Sequence, residues 1–162
     1  MWGTLEMSTA IRTGKKTLHT GRAKFADGGF AVYAQQYLDA FCQIHDEGRF
    51  NPVRYYLCCH ALELAFKAYL LKNGQQISTL RSKKVGHNLE ELLRLAAGSG
   101  LGLRMNVDTT CETEVKKANR YYFKKGFEYF DVEDAMKGRD ELPNLPTLER
   151  FARELVRLVA LK

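Results

Sequence analysis

Residues 53–73, VRYYLCCHALELAFKAYLLKN, constrain this chain more than any other stretch. Leu57, Ala61, Leu64, Ala68 and Leu71 recur at the three- and four-residue steps that place side chains on one face of a helix. Tyr55, Leu62, Phe66 and Tyr69 form a second apolar stripe roughly opposite, leaving His60, Glu63 and Lys67 as a narrow polar strip. A helix apolar on two sides belongs at the centre of a bundle or at a dimer interface, and a homodimer is expected on this ground.

The flanking sequence supplies partners for such a helix. Phe30, Tyr33, Ala34, Tyr37, Leu38, Phe41, Ile44 and His45 share one face of a helix that opens at Asp27-Gly28-Gly29 and ends at Gly48. Asn51-Pro52 starts the central helix, because the Asn side chain caps free amides and proline at the first helical position loses no hydrogen bond. Asn73-Gly74 stops it, and 75–85 reads as a polar, basic loop. Asn88 with Glu91 resembles a capping box and launches Leu89, Leu92, Leu93 and Ala96. Asp108, Thr109 or Thr110 caps a fourth helix lined by Cys111, Val115, Ala118 and Tyr122, and Thr147 begins a terminal one carrying Leu148, Phe151, Ala152, Leu155 and Val159. Phe127 to Val132 alternates weakly, as a short extended piece would, and 133–145 reads as loop. The fold class is all-α: a single four- to five-helix up-and-down bundle over 27–162, preceded by a basic N-terminal arm over 1–26.

A chain of 162 residues can bury a sizeable core without a disulfide or a structural metal. Cys42, Cys58, Cys59 and Cys111 include no Cys-x-x-Cys pair, each lies in an apolar helical pattern, and all four read as reduced, buried thiols. No apolar run is long enough to cross a membrane and no signal-type apolar core follows the N-terminal charges, so a cytoplasmic protein with no membrane partner is expected. The formal net charge of +6 is unevenly spread, with cations clustered at 12–24, 81–84 and 116–125. The last cluster interleaves cations with rings: Lys116, Lys117, Arg120, Tyr121, Tyr122, Phe123, Lys124 and Lys125. Cations attract phosphates without regard to sequence and rings stack on unpaired bases, so Lys116, Lys117, Arg120, Tyr121, Lys124 and Lys125 are the candidate nucleic-acid-binding residues.

HALELAFKAYLLKNG at 60–74 followed by GHNLEELLRLA at 86–96 resembles the HEPN superfamily of small helical domains found in prokaryotes and higher eukaryotes. The likeness lies in the Glu-x-x-x-Lys on an apolar helix, the basic loop and the Gly-His-x-Leu that opens the next helix. Asn119 to Phe130, NRYYFKKGFEYF, is similar to a basic, Tyr-rich segment of some members. The resemblance implies a helical bundle, often dimeric, that binds RNA, a nucleotide or a protein partner, as in toxin–antitoxin pairs and phage defence. It also implies an alternative, a metal-independent endoribonuclease, since active members carry an Arg followed a few residues later by a His. Arg54 with His60 and Arg81 with His87 meet that spacing, but neither pair lies on the last long helix of the core, where the family places it. Arg54 and His60 lie about 120° apart around one helix and do not converge within one subunit.

No other chemistry is legible. No pair of histidines has metal-ligand spacing, no glycine-rich phosphate loop follows a strand, and the serines lie in arms or loops without a nucleophile elbow. No catalytic residue, metal or cofactor is therefore assigned. Glu63 and Lys67 read as a helical ion pair, with His87 hydrogen-bonded to Glu63 so that it ties the third helix to the second; the group reads as structural. A purely structural dimerisation domain is the remaining alternative.

Overall fold

The structure, a computed structural model, describes residues 28–129 and 141–160. The arm at 1–26, the start of the first helix at Asp27 and the end of the extended piece at 130–132 lie outside the described residues. Six α-helices and a short 3₁₀ helix at Leu101–Leu103 make up the described helical elements: α1 Phe30–Gln43, α2 Pro52–Lys72, α3 Ile77–Leu80, α4 Leu89–Gly98, α5 Thr109–Tyr122 and α6 Leu145–Ala160. There is no strand among the described residues, and α1, α4, α5 and α6 all pack around α2.

The centrality of α2 follows from its composition. Every residue from Ala61 to Leu70 is buried, Glu63 and Lys67 included. Both apolar stripes are covered from within: Ala34, Leu38 and Phe41 of α1, and Leu148, Phe151, Leu155 and Val159 of α6, are part of the same core, with Phe66 and Phe151 rings 5.9 Å apart. The two-sided apolarity is thus used up inside one chain.

Helix starts are set by side chains that the sequence marks. Asn51 Oδ1 accepts from the amides of Val53 and Arg54, Asn88 Oδ1 from Glu91, and Asp108 Oδ1 from Cys111. Glu91 does not reach back to complete a capping box; its carboxylate holds Arg94 through two 2.8 Å bonds and Lys84 at 3.6 Å, which draws its pKa down to about 2. At α6, Asn144 Oδ1 accepts from Thr147, so the helix begins two residues before Thr147.

Five local readings change. α1 ends at Gln43, where the Ile44 backbone turns extended at ψ 114°, so Ile44 and the exposed His45 fall outside the helix expected to run to Gly48. Residues 77–80 form a helical turn instead of loop, because Leu80 is fully buried and anchors it; a single turn is too short for a helical period to show. Residue 145 is helical rather than loop. Cys42 is exposed, since it follows Phe41 on α1 and falls off the inward stripe; Cys58, Cys59 and Cys111 are buried free thiols. Phe127 is not in an extended piece, because α5 ends in a tight reversal. There Gly126 N–H donates to Tyr121 O at 2.8 Å and Lys125 N–H to Tyr122 O at 3.0 Å, with Lys125 at φ 61° in the left-handed region. The turn drops Phe127 between the rings of Tyr55 and Tyr121, at 5.2 and 5.4 Å.

Asn119 joins α4 to α5. Its Oδ1 accepts from the buried Leu89 amide at 2.8 Å and its Nδ2 donates to Asn88 Oδ1 at 3.1 Å. Asn119→Ala strands that amide in the core and should lower unfolding stability by about 1–3 kcal/mol. Denaturant unfolding of the variant checks this, and a drop below a few tenths of a kcal/mol would show the bond to be dispensable.

Candidate functional site

One polar centre sits inside the apolar core, and Glu63 is its middle. The carboxylate is 1% exposed and is held by side chains from α2, from α5 and from the entry to α4. Lys67, one turn along α2, donates to Oε1 at 2.6 Å. Tyr122 from α5 donates to Oε2 at 2.6 Å, and His87 Nδ1, at the entry to α4, lies 2.9 Å from the same oxygen. His60, one turn before Glu63, has its Nδ1 2.7 Å from the Tyr122 hydroxyl oxygen and 3.9 Å from Oε2. Its ring is stacked on Tyr56 at 5.5 Å and meets the Tyr37 ring edge-on at 4.3 Å. Lys67 Nζ also lies 5.8 Å from the Phe30 ring centroid.

Local sequence explains why these groups meet. His60, Glu63 and Lys67 share one side of α2 through the i, i+3, i+4 geometry. Gly86, just before His87, is closely packed: a Cβ there would lie 3.0 Å from Ser82 O. Burial pushes the Glu63 carboxyl up, but the Lys67 charge and the hydrogen bonds from Lys67, Tyr122 and His87 outweigh it and hold the pKa below the ordinary 4.5. Burial, followed by the Glu63 charge, pushes the Tyr122 hydroxyl far up, so it stays a donor. Burial lowers the His60 pKa below 6.5 against the opposing pull of Glu63, so the ring is neutral near pH 7.

The expected bond between His87 and Glu63 is present, and so is the Glu63–Lys67 pair. Two further members belong to the centre. Tyr122 reads in sequence as a core residue on its apolar stripe and His60 as a border residue of α2; only the shared spacing of His60, Glu63 and Lys67 hints at a cluster. The Arg/His spacings do not become pairs. Arg54 bonds Asp46 at 2.8 Å and lies over the Phe41 ring at 4.9 Å, whereas His60 faces α5. Arg81 is exposed in the loop that precedes His87.

The basic-aromatic segment divides between inside and outside. Lys116, Arg120 and Lys124 are exposed along one side of α5 and its end, Lys125 is exposed in the reversal, and none makes an ion pair among the described residues. Lys117 is half-buried and bound to Glu114 at 3.1 Å. Tyr121 is 9% exposed and stacked on Phe127, so its ring is turned away from solvent. Phe123 takes the outer place, 46% exposed between Arg120 and Lys124. A separate cleft of about 580 Å³ between the start of α2, α5 and the start of α6 is lined by Arg54, paired with Asp46, and by Lys117, paired with Glu114; the buried Nε of Arg54 has no hydrogen-bond partner among the described residues.

No family model, curated protein or solved structure matches the chain. The likeness to HEPN domains therefore rests on the residues quoted above. Among the described residues no group of three or more His, Cys, Asp or Glu is placed to hold a metal ion, and no helix is long and apolar enough to cross a membrane.

The Glu63 and His60 shifts act in one direction on acidification. A carboxyl whose folded pKa is depressed contributes stability that is lost as pH falls through and below 4.5, and a histidine kept neutral loses its preference for the folded state as pH falls below 6.5. Stability should decline in two steps on acidification, and His60→Gln should remove the one that begins at 6.5. Thermal midpoints measured between pH 7 and pH 3 (a span of about four units around these groups) check it. A midpoint flat across that range would contradict it.

Proposed function

We propose that the chain is an HEPN-like module that binds single-stranded RNA through the outer face of α5 and the turn that follows. The observation that carries the proposal is the exposed line Lys116, Arg120, Phe123 and Lys124, with cations on both sides of an exposed ring. Lys116 and Arg120 are four apart on one side of α5, Phe123 caps the helix and Lys124 follows in the turn, while Glu114, which pairs with Lys117, is buried. Phosphate attraction supplies affinity and the Phe123 ring supplies a base-stacking platform, so binding is strong at low salt and indifferent to sequence.

Lys125 supports the same reading. It occupies the left-handed position that ends α5, where glycine is the favoured residue and an L side chain costs roughly 1–2 kcal/mol. Its charge is presented beside Lys124 from a turn held by the Lys125 and Gly126 amides on Tyr122 O and Tyr121 O. The stripes of α2 are covered within the chain, so they give no ground for a homodimer, and self-association forms no part of the proposal.

Salt-dependent binding of single-stranded RNA tests it. Replacing Lys116, Arg120, Lys124 and Lys125 by Ala should flatten the slope of log affinity against log salt by about 0.7 for each phosphate that is no longer neutralised. Phe123→Ala should weaken binding by about 1–3 kcal/mol without altering that slope. Lys125→Gly should raise stability by about 1 kcal/mol while weakening binding. Affinity unchanged in all three variants, or no binding at low salt, would remove RNA as the ligand and leave a protein partner as the reading.

A further inference from the structure

Among the described residues one buried side-chain nitrogen has no hydrogen-bond partner, and it is Nε of Arg54. A buried donor without an acceptor is destabilising, more so in a charged group, and native folds leave few of them. The guanidinium is held by Asp46, which takes Nη1 at 2.8 Å, and by the Phe41 ring, whose centroid lies 4.9 Å from Cζ. Only 11% of the Arg54 side chain is exposed against 63% of Asp46, so the cation lies inside and the acid outside. A pair with an exposed carboxylate is worth little and does not offset burial of the guanidinium.

Arg54 is part of the wall of the 580 Å³ cleft. The other cations of that wall are Arg49, paired with Glu47, and Lys117, paired with Glu114, whose second oxygen takes the Asn144 amide at 2.5 Å. Each cation thus has one acid, and the side chains leave no surplus charge. The backbone does. Asn51 and Pro52 at the start of the 21-residue α2, and Leu145 and Pro146 at the start of the 16-residue α6, all line the cleft. A helix start carries roughly half a positive elementary charge, and the caps Asn51 and Asn144 are neutral, so the two starts together match about one negative charge. That is the charge of one carboxylate, a group the planar guanidinium is shaped to hold. The rest of the wall includes Phe50 and Tyr55, with rings 5.3 Å apart, Leu142 and the buried Pro143. A volume of about 580 Å³ suits an organic molecule and far exceeds what one inorganic ion fills.

We propose that this cleft is a binding site for a small organic monocarboxylate with an aromatic body, its carboxylate held at Arg54 and its body against Phe50 and Tyr55. The site is separate from the outer face of α5 and does not depend on RNA binding. The carboxylate supplies both the acceptor that Arg54 Nε lacks and the single negative charge that the two helix starts favour. Asp46 takes Nη1, so the Nε side of the guanidinium is the side left for the ligand. Nε is covered in this structure, and the Arg54 side chain turns toward the cleft on binding, a rotamer change of a kind common when ligands bind.

The test titrates the full chain with naphthoate, with its neutral counterpart naphthamide and with inorganic phosphate, read by ¹H–¹⁵N spectra that resolve the Arg54 Nε–Hε signal. Naphthoate should move that signal together with the amides of Phe50 and Tyr55, and naphthamide should bind about 10-fold more weakly or worse. Phosphate, with no apolar body, should bind more weakly than naphthoate. Arg54→Lys keeps the charge but lacks the planar fork and should weaken naphthoate binding by about 10-fold. Leu142→Trp narrows the cleft without removing a charge and should abolish the shifts. Equal binding of acid and amide, phosphate binding tighter than naphthoate, shifts confined to the exposed cations of α5, or no shift with naphthoate would each overturn the proposal. The unsubstituted chain alone decides among these outcomes, so a variant that fails to fold does not rescue or sink it.

Discussion

An ionised carboxylate in the middle of an apolar helix is the constraint on which this structure turns. Glu63 is almost fully buried on α2, and an isolated charge there would cost several kcal/mol. The solution recruits the rest of the fold: Lys67 from the next turn balances the charge, Tyr122 brings in α5, and His87 brings in the start of α4. Each donor arrives from a different direction, so the helices can satisfy Glu63 only in one mutual arrangement. Spacing alone makes Glu63 and Lys67 a helical ion pair of modest worth. Burial raises that worth, because removing the acid would leave Lys67, itself 6% exposed, as an uncompensated charge in the core.

The same centre joins the inner and outer faces of α5. Tyr122 points into the bundle and Phe123 out of it, and the reversal at Lys125 and Gly126 follows at once. Gly126 is confined there by space, since a Cβ would lie 3.2 Å from Tyr121 O. The turn is clamped by Phe127 between Tyr55 and Tyr121, so Lys124 and Lys125 are presented from a fixed scaffold. The backbone at Lys125 favours glycine, and the lysine there lowers stability. Strained positions of this kind gather at sites of use.

The helices are legible in the sequence because their signals are strong and repeated: caps at Asn51, Asn88 and Asp108, and stripes that recur over several turns. The turn at 77–80 is not, because one buried leucine in a polar stretch carries no period. Cys42 misleads because its neighbours are apolar while its own angle around α1 faces water. At the site, the Glu63–Lys67 pair and the His87 bond can be read from spacing and from the helix start at Asn88. The parts played by Tyr122 and His60 cannot, since their meeting depends on how α5 crosses α2, which no local pattern encodes. The exchange of Tyr121 for Phe123 as the exposed ring has the same origin: adjacent residues point to different sides, and only the position of Phe127 decides which ring is covered.

The protonation of the two imidazoles tests the organising role of Glu63 most directly. Long-range ¹H–¹⁵N correlation spectra of the full chain near neutral pH distinguish a protonated from a bare ring nitrogen. Both rings should carry a proton on Nδ1, and the neutral His60 ring should show Nε2 as its bare nitrogen. Either ring in the Nε2–H form would contradict the arrangement, because the hydrogen bonds that join His60 to Tyr122 and His87 to Glu63 would then lack their donor.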